Sequence, residues 1–130
     1  MTAPEPHLKL RPEPPLPDFG AHQQLVYHLE MLDPAQLVPR RDPNRVLQLT
    51  HAQLPSPTLN RFFYREVGRD WHWVDRLAWS ESQWETYLKR DEQETWIVSL
   101  SGTPIGFFEL ESQEGGRTIE LVYFGLLPQF

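Results

Sequence analysis

The hydrophobic positions along this chain change period twice, and the changes divide it into elements. Val46 to Leu54, VLQLTHAQL, alternates apolar and polar residues with the two-residue period of a half-buried strand, and Pro55-Ser56-Pro57 ends it. After that breaker the spacing becomes helical. In TLNRFFYREVG the apolar side chains of Leu59, Phe62, Phe63 and Val67 fall mainly on one face, and Gly68 stands where a C-cap belongs. Ser80 followed by Gln83 has capping-box spacing and predicts a helix from Glu81 to Lys89 with Trp84 and Leu88 on one side. Alternation then returns. Thr95 to Leu100, Ile105 to Leu110 and Ile119 to Leu126 read as three strands joined at Ser101-Gly102 and Glu114-Gly115-Gly116. Connections this short predict an antiparallel meander. The fold class expected is α/β in the broad sense, more narrowly α+β, with an antiparallel meander and two short helices.

The front of the chain is patterned differently. Residues 1–24 form a proline-rich leader with one alternating island, HLKLR, that suits an edge strand. Leu25 to Leu32, LVYHLEML, has mixed periodicity, and the Asp33-Pro34 turn signal favours a strand over a short helix. The domain expected to follow the leader runs over residues 25–130.

Composition narrows the chemistry. A length of 130 residues fits one small domain. The formal charge of -6 argues against binding to a nucleic-acid backbone or an anionic membrane and tolerates a cationic or amine substrate. The absence of cysteine removes disulfides, thiolate metal sites and a cysteine nucleophile. No apolar run is long enough to span a bilayer, and a soluble cytoplasmic protein is the default expectation.

Two features carry candidate chemistry. RDWHWVDRLAWSESQW holds four of the five tryptophans. These rings suit either a packed core, which is the reading for Trp79 and Trp84, or the mouth of a cleft formed by Trp71, His72 and Trp73 with Asp70 and Asp75 nearby. No metal-ligand spacing accompanies His72, so no metal site is expected. The second feature is Glu120 in the apolar strand IELVYFGLL. Period two points it at solvent, or it enters a cleft where reduced hydration would make its carboxylate a useful general base.

WHWVDR, GTPIGFFEL and IELVYFGLLP, in this order after a strand and two helices, resemble the GNAT superfamily of acetyl-CoA-dependent N-acetyltransferases over residues 46–130. The resemblance implies that IELVYFGLLP is the fourth strand. Its backbone at Phe124, Gly125, Leu126 and Leu127 would bind the acetyl and pantetheine arm of acetyl-CoA, and Glu120 would act as general base. Trp71, His72, Trp73 and Asp75 would contact a small amine substrate. The family pattern continues with a glycine-rich pyrophosphate turn, a helix and a fifth strand, and residues up to Phe130 match only the amino-terminal portion before that turn. On this reading the chain alone binds acetyl-CoA weakly or not at all. It also leaves VYFGLL on an open edge, to be covered by a second copy in a homodimer or by a complementing chain. The alternative is a non-catalytic binding or dimerisation module derived from the same fold.

Overall fold

A computed structural model describes residues 25–44 and 46–130 of the chain. The backbone divides into two units, Met1–Arg41 and Asp42–Phe130. In the first, the described residues are exposed and carry one 3-10 turn, Pro34–Gln36, capped by Asp33, whose Oδ1 accepts from Ala35 N at 2.8 Å. The strand expected at Leu25 to Leu32 does not form: the described part of the chain holds one sheet, and these residues are outside it. Alternation earns a strand only where a neighbour completes its hydrogen bonds. The leader and its HLKLR island lie outside the described residues. The second unit, which holds the sheet and both helices, begins at Asp42.

Within Asp42–Phe130 the order is β1 (Leu47–His51), α1 (Pro57–Gly68), a 3-10 turn (Arg69–Trp71), α2 (Glu81–Leu88), β2 (Gln93–Leu100), β3 (Thr103–Gln113) and β4 (Thr118–Leu126). The four strands form one antiparallel sheet in the order β1-β2-β3-β4. This is a small α+β unit. The proline breaker turns out to start α1: Ser56 Oγ accepts from Leu59 N at 3.3 Å, and Pro57 occupies the first turn, where its missing N–H costs nothing. The α2 capping box closes reciprocally through Ser80 and Gln83. Ser101 and Gly102, both at positive φ, make the two-residue turn between β2 and β3.

Gly68 does not serve as a left-handed cap. Its φ is -73°, and a Cβ there would lie 2.5 Å from Trp73 Cβ, so the missing side chain is what lets the Trp73 loop fold back on α1. Gly125 has a similar cause: a Cβ would lie 2.3 Å from Val67 Cγ1. Both glycines are therefore packing positions.

Both helices cover one face of the sheet. Phe63, Val67, Phe107 and Leu127 form one buried cluster, with Leu59, Trp73, Ile97 and Tyr123 against it. Tyr64, Trp84 and Leu88 form a second, joined to the first through Trp73 and Tyr123. Phe63 and Phe107 stack at 5.3 Å, and Tyr64 meets Tyr123 edge-on at 5.3 Å. Each large ring so buried contributes about 1.5–3 kcal/mol relative to exposure. The opposite face carries a cross-strand row, His51, Trp96, Phe108 and Phe124, each opposite the next in register. Trp96 stacks on His51 at 5.0 Å and on Phe108 at 6.0 Å, and Phe124 at the end of the row is 60% exposed.

Candidate functional site

Two polar neighbourhoods lie on the helix-bearing side of the sheet, and a third region is the outer edge of β4. The most enclosed surrounds Glu109, whose side chain is completely buried on β3. Arg76 Nη1 donates to Glu109 Oε1 at 3.2 Å and to Oε2 at 2.9 Å. Tyr87 Oη donates to Oε2 at 2.7 Å, and Asn60 Nδ2 donates to Oε1 at 3.1 Å and to Thr95 Oγ1 at 2.8 Å. The Arg76 guanidinium lies between rings, with Cζ 4.1 Å from Tyr87, 4.6 Å from Tyr123 and 4.7 Å from Trp79. Burial alone would lower the Arg76 pKa, but the Glu109 charge outweighs it and holds the group above its ordinary value. Burial, reinforced by the Glu109 charge, pushes the Tyr87 hydroxyl well above the usual tyrosine range. Burial, with Tyr64 adding to it, moves Tyr123 up to about 12. Both tyrosines are donors at neutral pH, and this neighbourhood is closed and charge-paired.

Glu109, Arg76, Asn60 and Tyr87 are functional-site neighbours that no local sequence motif marks. Strand phase is the signal for Glu109: in GFFEL it shares a strand face with Phe107, and a carboxylate in phase with a core phenylalanine requires a buried partner.

The second neighbourhood is set by a β-bulge. Register holds from Gly106↔Leu126 to Glu109↔Tyr123, then shifts so that Leu110 faces Leu121 and Glu111 faces Glu120. Val122 is the extra residue, and it changes the phase of the strand. Tyr123 and Gly125 face the helices, and beyond the bulge that face is continued by Glu120 instead of Leu121. Glu120 therefore shares a face with Glu111, Tyr123 and α2, although its own side chain is exposed. Its carboxylate accepts from Gln113 Nε2, which also donates to Glu111 Oε1 at 3.4 Å. Glu111 is further held by Arg90 Nη2 at 2.6 Å, and this hydrogen bond lowers its pKa. No ion pair to Glu120 occurs among the described residues.

The third is the outer edge of β4, which no strand among the described residues covers. Leu127 N donates to Ile105 O at 2.7 Å, so the Leu127 N–H is spent inward. Backbone direction alternates along an antiparallel strand, which turns Gly125 inward with it and directs the N–H and C=O of Phe124 and Leu126 to the open edge. Of the four positions expected to bind the acetyl donor, Phe124 and Leu126 thus present backbone groups outward. Gly125 and Leu127 serve the sheet and the core.

The four positions expected to bind substrate are not gathered. Trp71 is 71% exposed, and His72, in the left-handed conformation at φ 56°, and Asp75 are exposed on the loop between the helices. Trp73 turns inward and packs 4.6 Å from Tyr123 and 5.7 Å from Tyr64. Steric fit against Gly68 separates it from Trp71, so the alternating WHW sequence builds core on one side and exposed surface on the other.

Two of the cavities that the described residues form are not lined by residues 71–75. One, of about 330 Å³, has His51, Asn60, Lys89, Gln93 and Thr95 in its wall. The other, of about 560 Å³, lies over α2 between Arg76, Trp79, Gln83, Tyr87, Arg90 and Glu111. Among the described residues no group of three or more His, Asp or Glu side chains is placed to hold a metal ion, and no helix is long and apolar enough to cross a membrane. Comparison with family models, curated proteins and solved structures found no match to the chain.

Proposed function

We propose that Asp42–Phe130 is the acceptor-side portion of a GNAT-type N-acetyltransferase, an enzyme domain that moves an acetyl group from acetyl-CoA to a small primary amine. The observation that carries this reading is the construction of β4. One strand offers outward backbone groups at Phe124 and Leu126, and its bulge sets the exposed carboxylate of Glu120 on the helix-bearing face. The element order, one strand, two helices and a three-stranded meander, agrees with the order that the resemblance implies. A cytoplasmic location follows from the acetyl donor.

Acetyl-CoA supplies the acetyl group as a thioester. In the proposed reaction Glu120 removes a proton from the attacking amine, directly or through one water, and the Phe124 or Leu126 N–H donates to the oxygen that gains charge. The amine nitrogen bonds to the acetyl carbon, the carbon–sulfur bond breaks, and the proton that Glu120 removed neutralises the thiolate. Glu109 is committed to Arg76.

The test is release of coenzyme A thiol in the presence of primary amines, measured on the protein as its native gene encodes it. Glu120→Gln should lower kcat/KM by roughly 10²–10⁴ with no change in melting temperature. Wild-type release no faster than buffer, or equal rates in the variant, would overturn the reading.

One observation favours a second reading, a non-catalytic binding or dimerisation module. Phe124, Ile119, Leu121 and Leu49 are exposed on the sheet, and no strand among the described residues covers the β4 edge. Exposed apolar side chains beside an uncovered strand edge are commonly an interface. Light scattering separates the two: a dimer without thiol release favours the module, and an active monomer favours the enzyme.

A further inference from the structure

The smaller cavity, of about 330 Å³, lies apart from the strand on which the acetyl-transfer reading rests. Its wall is built from β1, α1, the end of α2, β2 and the loops beside them, and no residue of β3 or β4 lines it. Three polar side chains in that wall are at least nine-tenths buried: Asn60 at 2% exposure, Thr95 at 4% and Gln93 at 9%. Polar groups so enclosed need partners.

Their bonds to one another leave particular atoms over. Asn60 Nδ2 donates one hydrogen to Thr95 Oγ1 at 2.8 Å and the other to Glu109 Oε1 at 3.1 Å. A carboxylate only accepts, so this contact fixes the amide and turns Asn60 Oδ1 away from both. Gln93 Nε2 donates to the same Thr95 Oγ1 at 2.8 Å. Two incoming hydrogens fill both lone pairs of the hydroxyl oxygen, and Thr95 can then only donate onward. Asn60 Oδ1 and Gln93 Oε1 have no protein partner among the described residues, yet the only polar side-chain atom there that is both sealed from solvent and unpartnered is Trp84 Nε1. The two oxygens therefore reach open space, and the space that both residues line is this cavity. Turning the Gln93 amide over would let it accept from Thr95 and would present its NH2 instead. Asn60 Oδ1 and one donor face the cavity in either arrangement.

Charge in the wall is balanced. Lys89 and Arg90 are matched in number by Asp91 and Glu94, and the buried floor of Asn60, Thr95 and Gln93 is neutral. We propose that the cavity binds a neutral primary carboxamide, its N–H groups donating to Asn60 Oδ1 and Gln93 Oε1 and its carbonyl accepting from Thr95 Oγ1. An ammonium has donors only and leaves the Thr95 hydrogen unpaired, whereas a carboxylate has acceptors only and opposes both oxygens. The volume is at the small end of the range that encloses ligands, which suits one such group with a short substituent.

The test is titration of the full, isotopically labelled chain, without acetyl-CoA, followed through its amide resonances. The probes are acetamide and benzamide, the matched acids acetate and benzoate, and the matched amines ethylamine and benzylamine. At least one carboxamide should shift the Gln93 and Thr95 resonances and bind about tenfold or more tightly than its acid and its amine. Gln93→Leu should lower that affinity about tenfold. Gln93→Glu takes up the Thr95 hydrogen and leaves acceptors alone, so the preference should pass to the amine, with melting curves confirming that both variants fold. No shift with either carboxamide, as for a cavity that holds only exchanging water, equal binding of carboxamide, acid and amine, or an unchanged preference in Gln93→Glu would overturn the proposal. Because no acetyl donor is present and no β4 residue lines the cavity, these outcomes leave the transferase reading to its own test.

Discussion

Two glutamates on neighbouring strands show how differently one residue type can be used. Glu109 on β3 is completely buried, and its oxygens are met by Arg76, Tyr87 and Asn60. Glu120 on β4 is exposed and held by one neutral amide. Both look outwardly alike in the sequence, a single acid in an apolar run. The first has every partner that a buried charge requires and is part of the architecture. The second has no ion pair among the described residues and lies on a strand whose outer edge no described strand covers.

The contrast predicts its largest effect at the closed site. Glu109→Ala leaves the Arg76 guanidinium buried without its counter-ion and should cost about 3–5 kcal/mol in urea unfolding. A loss below about 1 kcal/mol would mean that water enters the network freely. The double variant with Arg76→Met should recover much of the loss, since the uncompensated charge causes it.

Next in size is the packing that places β4. Gly125→Ala puts a methyl group into Val67 and should cost about 1–3 kcal/mol by overpacking. Combining it with Val67→Ala should relieve most of that cost. A Gly125→Ala protein as stable as wild type would show that α1 is free to shift from the sheet.

Alkaline pH gives a smaller test. The Tyr87 and Tyr123 pKa values are raised in the folded state, Tyr123 to about 12, so their contribution is complete below the ordinary tyrosine value of 10.0 and is lost as pH rises through the folded values. Stability should therefore fall above about pH 10. Tyr87→Phe should flatten that fall and cost about 1.5–3 kcal/mol at neutral pH for the lost bond to a charged acceptor. An unchanged alkaline profile in that variant would place the loss elsewhere. Smallest of all, Glu120→Gln should alter stability by less than about 0.5 kcal/mol, which makes its effect on transfer readable as chemistry.

Much of the folded unit was legible because its signals are local. The Ser80 and Gln83 spacing closes as a capping box, and Ser101-Gly102 makes the turn that such a pair favours. The misread elements depend on distant partners. LVYHLEML has strand-like composition but no neighbour in the sheet, and the role of Gly68 is fixed by Trp73 five residues on. Site prediction met the same limit. A strict two-residue period places Leu121, not Glu120, on the face of Tyr123, and only the extra residue at Val122 reverses that assignment. Arg76 gave no local sign that it would meet Glu109 across 33 positions of chain.

The claim that joins these observations is that the outer edge of β4 seats the acetyl donor. Amide resonances of the isotopically labelled chain, followed during titration with acetyl-CoA, test it most directly, because NMR detects even weak binding. The account predicts the largest shifts at the Phe124 and Leu126 amides and smaller ones at Gly125 and Leu127, whose backbone groups face inward. Shifts concentrated at Trp71 to Asp75 while the β4 amides stay unmoved would contradict it.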